Sequence, residues 1–298
     1  MWRSASREEC HRYYETEFPN NENDFPPHIT ANGPKQWALA FHQKYPTIGE
    51  ENPEKDFIRR GTLYNNGNPV PQFQTFEGVL KFIRAPAEFD PLQQNNSSAA
   101  LADPTVVDQP VPVPEAVYYG VDSHDHGWPV YLDIDAKDIA LEIARNRLPA
   151  GSDPETPAEV RRQGGITGEP PKGYPYRFDD IDAAIEYAFE LEELLRTELG
   201  AEDTLVVYSG QGAHVYLLDD TRKHRYNEHA REALNSIIDE LWGIPIDRVV
   251  TADRKRVARL PYSLHADVSR VVTPIDDPSF DYRTETVPDV IQEVANNA

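Results

Sequence analysis

Two aspartates two positions apart carry the first chemical signal in this sequence. Asp133 and Asp135 follow an apolar run in the segment VYLDIDAKD. Side chains at positions i and i+2 of a strand point to the same face, with Cα atoms roughly 7 Å apart. Carboxylates so placed repel each other unless a cation lies between them, and oxygen ligands of this kind suit Mg²⁺ or Mn²⁺. The pair therefore predicts a divalent-metal site, and the alternative is a strand end that reaches solvent.

A tight turn with two glycines provides a second signal. The segment YSGQGAH contains Gly210 and Gly212, which allow backbone N–H groups to approach a phosphate closely. The hydroxyl of Ser209 and the imidazole of His214 flank this turn. These four residues are candidates for phosphate binding, and the alternative is an ordinary hairpin with a surface histidine.

A third signal is an acid followed by the densest basic patch of the chain. The segment DRVVTADRKRVARLPYSLH begins at Asp247 and ends with Ser263 and His265. Its basic residues are Arg248, Arg254, Lys255, Arg256 and Arg259. Arginine and histidine beside a metal-bound triphosphate would neutralise its charge. The alternative is a solvated loop whose basic residues pair with nearby acids.

The elements that must position these residues alternate between strands and amphipathic helices. The predicted strands lie at 130–135, 204–208, 214–218, 248–251 and 271–273. The predicted helices lie at 137–147, 179–199 and 227–242. The pattern predicts an α+β fold, with an RRM-like catalytic sheet, helices packed on that sheet, and an N-terminal α/β unit.

The composition of the chain suggests a linear domain organisation. An N-terminal α/β part at 1–85 precedes a Pro/Asn/Ser-rich linker or long loop at 86–118. The catalytic part at 119–275 contains a Gly/Pro-rich loop insertion at 150–175, and residues 276–298 form a C-terminal tail.

Charge and cysteine content limit the class of protein. The 298 residues carry 51 acidic and 29 basic side chains, a net charge of −22, which taken alone argues against a nucleic-acid partner. The acid is dispersed and lysine is scarce, as in proteins of a cytoplasm at molar salt, where the Debye length is about 3 Å. We therefore expect a halophilic protein in which local basic clusters indicate the partners.

The cysteine count and the lengths of the apolar runs indicate the compartment of the protein and whether it binds zinc. A single cysteine, Cys10, excludes an intramolecular disulfide framework and a cysteine-based zinc site, so no zinc is expected. No apolar run reaches the roughly 18 residues that span a bilayer, and the first residues contain no secretory apolar region. We expect a cytoplasmic protein with no membrane partner.

Taken together, the three signals resemble the archaeo-eukaryotic primase superfamily, especially the small catalytic subunit of DNA primase. That family has an hhhDhD strand, an SGxxGxH-type hairpin, and an acid before V-T or V-S that precedes R/K-x-P-x-S-L/V-H. Here these motifs are YLDID, SGQGAH, Asp247 to Thr251, and Arg259 to His265. The resemblance covers residues 128–275.

The resemblance continues upstream through short, unspecific motifs. The family has a Tyr-Tyr pair before a proline, an R-E-F-like strand, a D-x-Y-x-R-like strand and a lead-in to the catalytic strand. The corresponding residues here are Tyr13-Tyr14 with Pro19, Lys35-Gln36-Trp37, Asp56 to Arg59, and Tyr118-Tyr119 with Gly127-Trp128.

The resemblance implies a template-directed nucleotidyltransferase, a DNA primase or primase-polymerase that uses two Mg²⁺ or Mn²⁺ ions. It implies that Asp133, Asp135 and Asp247 bind the metal, with Asp253 as a rival for the third position. The implied contacts to nucleotide phosphates are Ser209, Gly210, Gly212, His214, Arg259, Ser263 and His265. The implied partners are nucleoside triphosphates, a single-stranded DNA template, and a primase large subunit or other replication or repair proteins.

Two departures from the family pattern favour a divergent or stand-alone member. The hairpin turn is one residue shorter, with Gln211 where a basic residue often stands, and the chain cannot build a zinc knob from cysteines. Template binding is expected from a small set of basic residues. They are Lys35, Arg59, Arg60, Arg254, Lys255 and Arg256. The alternatives are a gap-filling or end-joining repair polymerase of the same superfamily and a non-catalytic nucleic-acid-binding subunit.

Overall fold

The computed structural model describes twelve ranges of the chain: 2–30, 37–41, 57–59, 64–65, 68–69, 76–84, 113–120, 130–148, 151–152, 176–219, 227–252 and 256–297. The strands are β1 Trp37–Phe41, β2 Phe57–Arg59, β3 Tyr64–Asn65, β4 Asn68–Pro69, β5 Pro114–Gly120, β6 Val130–Asp135, β7 Thr204–Tyr208, β8 Gly212–Leu217, β9 Val257–Arg259, β10 Leu264–His265, β11 Arg270–Val271 and β12 Thr273–Ile275. The helices are α1 Arg7–Thr16, α2 Pro27–Thr30, α3 Phe76–Arg84, α4 Ala136–Asn146, α5 Phe178–Thr197, α6 Glu228–Ser236, α7 Arg248–Ala252, α8 Tyr282–Glu285 and α9 Asp289–Asn297.

Helices and antiparallel sheets are mixed along the chain, so the predicted α+β class is confirmed. A 3₁₀ turn at Glu22–Asp24 precedes α2, and α6 continues into a wider π-helical turn at Ile237–Leu241. Within the described ranges, every helix is too short or too polar to cross a membrane.

The chain folds into two compact units that do not follow its linear order. The first unit comprises Met1–Arg3, His124–Arg254 and Thr273–Glu285. The second unit comprises Ser4–Ser123, Lys255–Val272 and Thr286–Ala298. The segment 255–272, which the sequence assigns to the catalytic part, therefore groups with the N-terminal residues.

The predicted linker and tail also differ from the structure. Residues 114–118, placed in the linker at 86–118 by their composition, form most of strand β5, while 86–112 lie outside the described residues. The tail at 276–298 contains helices α8 and α9, which contribute Tyr282, Val290 and Ile291 to the buried core. The predicted insertion at 150–175 is described only at Gly151 and Ser152.

The sheet of the first unit has the order β12-β7-β8-β6, and all its neighbours are antiparallel. The predicted hairpin is present as β7 and β8, and β6 lies beside β8. In an RRM-type sheet the last strand pairs with the first, whereas here β12 pairs with β7. The other edge of β6 is already occupied by a tertiary contact, because Asp247 N, just before α7, donates to Asp133 O over 2.8 Å.

Alternating side chains fix one face of this sheet against helices α4 and α5. The inward residues of β6 are Val130, Leu132 and Ile134, which join a buried cluster with the apolar side of α5. That side consists of Ile181, Ala184, Ile185, Ala188, Leu191 and Leu195. Their three- and four-residue spacing is the helical period that predicted the helix at 179–199, observed as Phe178–Thr197.

The strand predicted at 248–251 is wrong, because this segment forms helix α7. Val249, Val250 and Thr251 are β-branched residues that favour strands. The side chain of Asp247 overrides this preference: its Oδ1 accepts hydrogen bonds from Val249 N and Val250 N, both at 3.0 Å. Such a cap satisfies backbone donors that are unpaired at a helix start.

The second unit contains a sheet of order β2-β1-β5-β9, also antiparallel. Its buried face carries Trp37, Leu39, Val117, Tyr119 and Ala258. Helix α1 packs beside β5 and buries Cys10, Tyr13 and Tyr14. A capping box formed by Ser6 and Glu9 begins this helix.

Gly212 is the position in the hairpin where any side chain is excluded. A Cβ atom there would overlap the carbonyl oxygen of Ile134 on the paired strand β6. We expect Gly212→Ala to push β6 away and to reduce the free energy of unfolding by about 3 kcal/mol, measured by urea unfolding. The control is Gly151→Ala, where the added Cβ atom would meet no atom within 4 Å. This variant should lose only about 1 kcal/mol of unfolding free energy, because alanine is strained in a left-handed backbone conformation. An equal or smaller loss for Gly212→Ala would contradict this packing.

Candidate active site

Strand β6 presents Asp133 and Asp135 on the sheet face opposite helices α4 and α5. The intervening residues Leu132 and Ile134 point to the helices, so the two carboxylates share the other face. Asp133 is only 9 % exposed, and Asp135 is half-buried at the point where α4 begins. Asp133 is therefore covered by protein, whereas Asp135 keeps part of its surface in contact with solvent.

Asp247 lies beside Asp133 through a main-chain contact. The bond from Asp247 N to Asp133 O places the third predicted carboxylate next to the first, although 114 positions separate them in the sequence. Asp247 Oδ1 caps α7. Two residues of α6 fix α7 in turn: the guanidinium of buried Arg231 donates to Thr251 O at 3.2 Å, and Asn235 Nδ2 donates to Arg248 O at 3.0 Å.

The surroundings of Asp133 make its ionised form unfavourable. Burial raises the pKa of Asp133 well above its usual range, and the neighbouring carboxylate of Asp135 raises it further. The ammonium group of Lys137 acts in the opposite direction, while Asp247 adds to the increase. A buried carboxylate among other carboxylates is costly unless a cation compensates its charge.

Lys137 provides one such positive charge and was not among the residues predicted from the sequence. Its Nζ forms an ion pair with Asp135 Oδ2 from the first turn of α4. Burial lowers the pKa of Lys137, but the attraction and hydrogen bond of Asp135, together with the charges of Asp138 and Asp133, raise it above its usual value. The signal was present in VYLDIDAKD, where the lysine stands two positions after Asp135.

His214 faces Asp133 across the strand pair β6–β8. The two residues are direct partners in the register, and His214 Nε2 lies 3.4 Å from Asp133 Oδ1. The carbonyl of Asp133 points away from β8 toward Asp247, as in non-hydrogen-bonded pairs, whose side chains approach closely. The His214 ring also contacts Tyr131 edge-on, with ring centroids 4.8 Å apart.

The glycine turn leads directly into the strand that carries His214. Ser209 N donates to Gly212 O at 3.0 Å, and the hydroxyl of Tyr208 donates to Gly210 O at 2.7 Å. Gly210 has φ of 105°, a conformation that favours glycine. These two hydrogen bonds close the turn. Ser209 itself is buried.

The donor set has the oxygen chemistry that a divalent cation prefers, but its members, all among the described residues, do not converge. Asp133 Oδ1 is buried and makes no hydrogen bond among the described residues, and two further carboxylates adjoin it. Within the described ranges, however, no three acidic, histidine or cysteine side chains converge closely enough to hold a metal ion. Asp135 faces Lys137 and Asp247 caps α7, so metal binding would require these carboxylates to turn.

The remaining predicted phosphate contacts belong to the second unit. Ser263 is fully buried, and its hydroxyl accepts a hydrogen bond from Val117 N at 2.7 Å and lies 3.2 Å from the Tyr14 hydroxyl. Arg259 is half-buried, and His265 is buried with Nδ1 4.0 Å from Asp267 Oδ2. The hydroxyl of Ser263 therefore serves the packing of this unit.

Several predicted residues fall outside the described ranges. They are Lys35, Gln36, Asp56, Arg60, Gly127, Trp128, Asp253, Arg254 and Lys255. Among the other basic candidates, Arg59 lies on β2 and Arg256 is half-buried just before β9.

Comparison with known proteins finds similarity over part of the chain. A stretch of 86 residues is 34% identical to a protein of Archaeoglobus fulgidus described as an uncharacterized DNA primase small subunit-like protein. The similarity covers 28% of this chain and 29% of that relative. No family model matches the chain. Over this stretch, the chain is similar to a protein that is named for its likeness to the DNA primase small subunit.

Substitutions of Asp247 separate its capping role from its charge. Asp247→Asn keeps an oxygen that can accept from Val249 N and Val250 N, so the midpoint of urea unfolding should stay nearly unchanged. Asp247→Ala removes the cap and should cost about 1 kcal/mol of unfolding free energy. If the carboxylate also binds metal, both variants should weaken Mn²⁺ binding in a calorimetric titration, and Asp247→Ala at least as much as Asp247→Asn. Wild-type Mn²⁺ affinity in Asp247→Asn would contradict a metal role for this residue.

Proposed function

We propose that this chain is a template-directed nucleotidyltransferase of the archaeo-eukaryotic primase superfamily, a DNA primase or primase-polymerase. The observation that carries the proposal is the buried, acid-flanked Asp133, whose Oδ1 lacks a hydrogen bond among the described residues. The motif order that resembles this superfamily supports it, as does the partial similarity to the primase-like protein.

Three carboxylates form the proposed metal site, namely Asp133, Asp135 and Asp247. When bound there, two Mg²⁺ or Mn²⁺ ions would lower the pKa of a 3′-hydroxyl and stabilise charge on the reacting phosphates. Occupation of the site would offset the mutual repulsion of the carboxylates and displace Lys137 from Asp135. The displaced ammonium group would then lie close to the phosphates of an incoming nucleotide.

The imidazole of His214 has a position suited to the same reaction. Contact with Tyr131 and proximity to Asp133 fix the ring beside the acidic pair. A protonated His214 would donate a charge-assisted hydrogen bond to a phosphate oxygen. We assign His214 this electrostatic role, with no covalent enzyme intermediate.

We infer the partners from the proposed reaction and from the family resemblance. Nucleoside triphosphates are the substrates, and a single-stranded DNA is the template. A primase large subunit or another replication or repair protein is the partner class that the resemblance implies. A gap-filling or end-joining polymerase would use the same carboxylates and differ in its requirement for a primer.

A second candidate is a non-catalytic nucleic-acid-binding subunit. Two observations favour it: Asp135 is already paired with Lys137, and the described residues contain no converged group of metal ligands. This candidate predicts DNA binding without nucleotide incorporation.

Nucleotide incorporation on single-stranded DNA tests the proposal. The assay is run with and without a primer, with Mn²⁺ or Mg²⁺, and in KCl up to about 3 M, where screening is strongest. Asp133→Asn and Asp135→Asn are each expected to reduce incorporation by at least about 100-fold, because each removes a carboxylate that would bind the metal. The matched control is Glu142→Gln, which removes an exposed carboxylate from the outer side of α4.

The pattern of products decides among the candidates. Synthesis without a primer supports a primase, and synthesis only from a primer supports an extension or repair polymerase. Near-normal turnover by Asp133→Asn would contradict the metal assignment. DNA binding without incorporation, by folded protein in every condition, would favour the non-catalytic subunit.

A further inference from the structure

One cross-strand row in the second unit combines arginine and tyrosine on the outer face of the sheet. The register pairs Tyr118 of β5 directly with Arg259 of β9. Directly paired residues of antiparallel strands share a face. The adjacent row, which contains Tyr119 and Ala258, is buried, whereas Tyr118 and Arg259 are both half-exposed.

The guanidinium of Arg259 lies over the ring of Tyr118. Its Cζ lies 4.8 Å from the ring centroid, within the range of a cation–π contact. Arg259 forms no ion pair with any carboxylate of the described residues, although the chain has 51 acidic side chains. Contact with the ring restrains the cation without using a carboxylate, so its N–H groups remain able to donate to two oxygens of a phosphate.

The main chain on both sides of Arg259 is fixed by hydrogen bonds. Leu260 N donates to Val117 O at 2.8 Å, and Tyr262 N donates to Val272 O at 2.6 Å. Tyr262 has φ of 67°, a left-handed conformation that these bonds hold in place. With the backbone fixed, the orientation of the Arg259 side chain depends mainly on what its guanidinium contacts.

We propose that Tyr118 is a positioning residue that aims the guanidinium of Arg259 at the phosphate groups of a bound nucleoside triphosphate. The inference rests on the proposed function for its ligand class, and on the cation–π contact for the role of Tyr118. An aromatic ring in this place restricts the motion of the arginine side chain, so less rotational freedom is lost when phosphate binds.

Calorimetric binding of inorganic tripolyphosphate and of ATP tests this role in the full-length chain. Tyr118→Leu is expected to reduce the binding affinity for both ligands about 3-fold to 10-fold, since it removes the ring that holds the cation. Tyr118→Phe keeps the ring and should restore most of the affinity. In Arg259→Ala, the further change Tyr118→Leu should have no additional effect, because the two residues act as one unit.

The outcomes separate this inference from the proposed function. Wild-type affinity in Tyr118→Leu, or losses that add in the double variant, would overturn the positioning role while nucleotide incorporation could persist. The predicted binding pattern in a protein that incorporates no nucleotide would overturn the proposed function alone. Wild-type protein that binds neither tripolyphosphate nor ATP would overturn both.

A single-stranded DNA oligonucleotide provides the last arm of the experiment. If Tyr118→Leu reduces the affinity for the oligonucleotide but not for tripolyphosphate, Arg259 contacts phosphates of the template. The assignment of Arg259 to the nucleoside triphosphate is then wrong. Thermal unfolding of each variant is recorded alongside, and a variant that unfolds earlier is compared at a temperature at which it is fully folded.

Discussion

The buried carboxylate of Asp133 is the constraint on which the first unit depends. It lies on a covered sheet face with Asp135 and Asp247 beside it, so its charge is opposed both by burial and by repulsion. Within the chain, Lys137 and His214 supply the nearby groups that can compensate it. Burial among neighbouring acids favours positive charge near Asp133, and the divalent ion that we propose would supply it.

Several features of the unit serve to bring those acids together. The main-chain bond from Asp247 to Asp133 joins α7 to the edge strand, so the last strand pairs at the opposite edge of the sheet. Gly212 lets β8 approach β6 closely, and His214 follows two residues later on that strand. The same contacts that define the sheet thus set the spacing of the site.

Local patterns in the sequence predict the elements but not their arrangement. Strand β6, the β7–β8 hairpin and α5 follow from two- and 3.6-residue periodicities, which depend only on neighbouring residues. Helix α7 was missed because the cap from Asp247 outweighs the strand preference of its β-branched residues. The partners of β12, and the return of 255–272 to the N-terminal residues, depend on tertiary packing. The Asp135–Lys137 pair could have been predicted from the sequence, because the two residues are close neighbours in it. The burial of Ser263 against Val117 and Tyr14 could not, because these residues are far apart in the sequence.

The most direct measurement is the thermal unfolding of wild type and Asp133→Asn as a function of pH, with EDTA and then with Mn²⁺. Because the folded state raises the pKa of Asp133, its stability penalty is absent below about pH 4, where the unfolded carboxyl is protonated, and grows as pH rises through the folded pKa. The account predicts that in EDTA the wild type loses stability relative to Asp133→Asn as pH increases. Mn²⁺ should then stabilise the wild type selectively. Parallel pH profiles in EDTA, or equal stabilisation of both proteins by Mn²⁺, would contradict it.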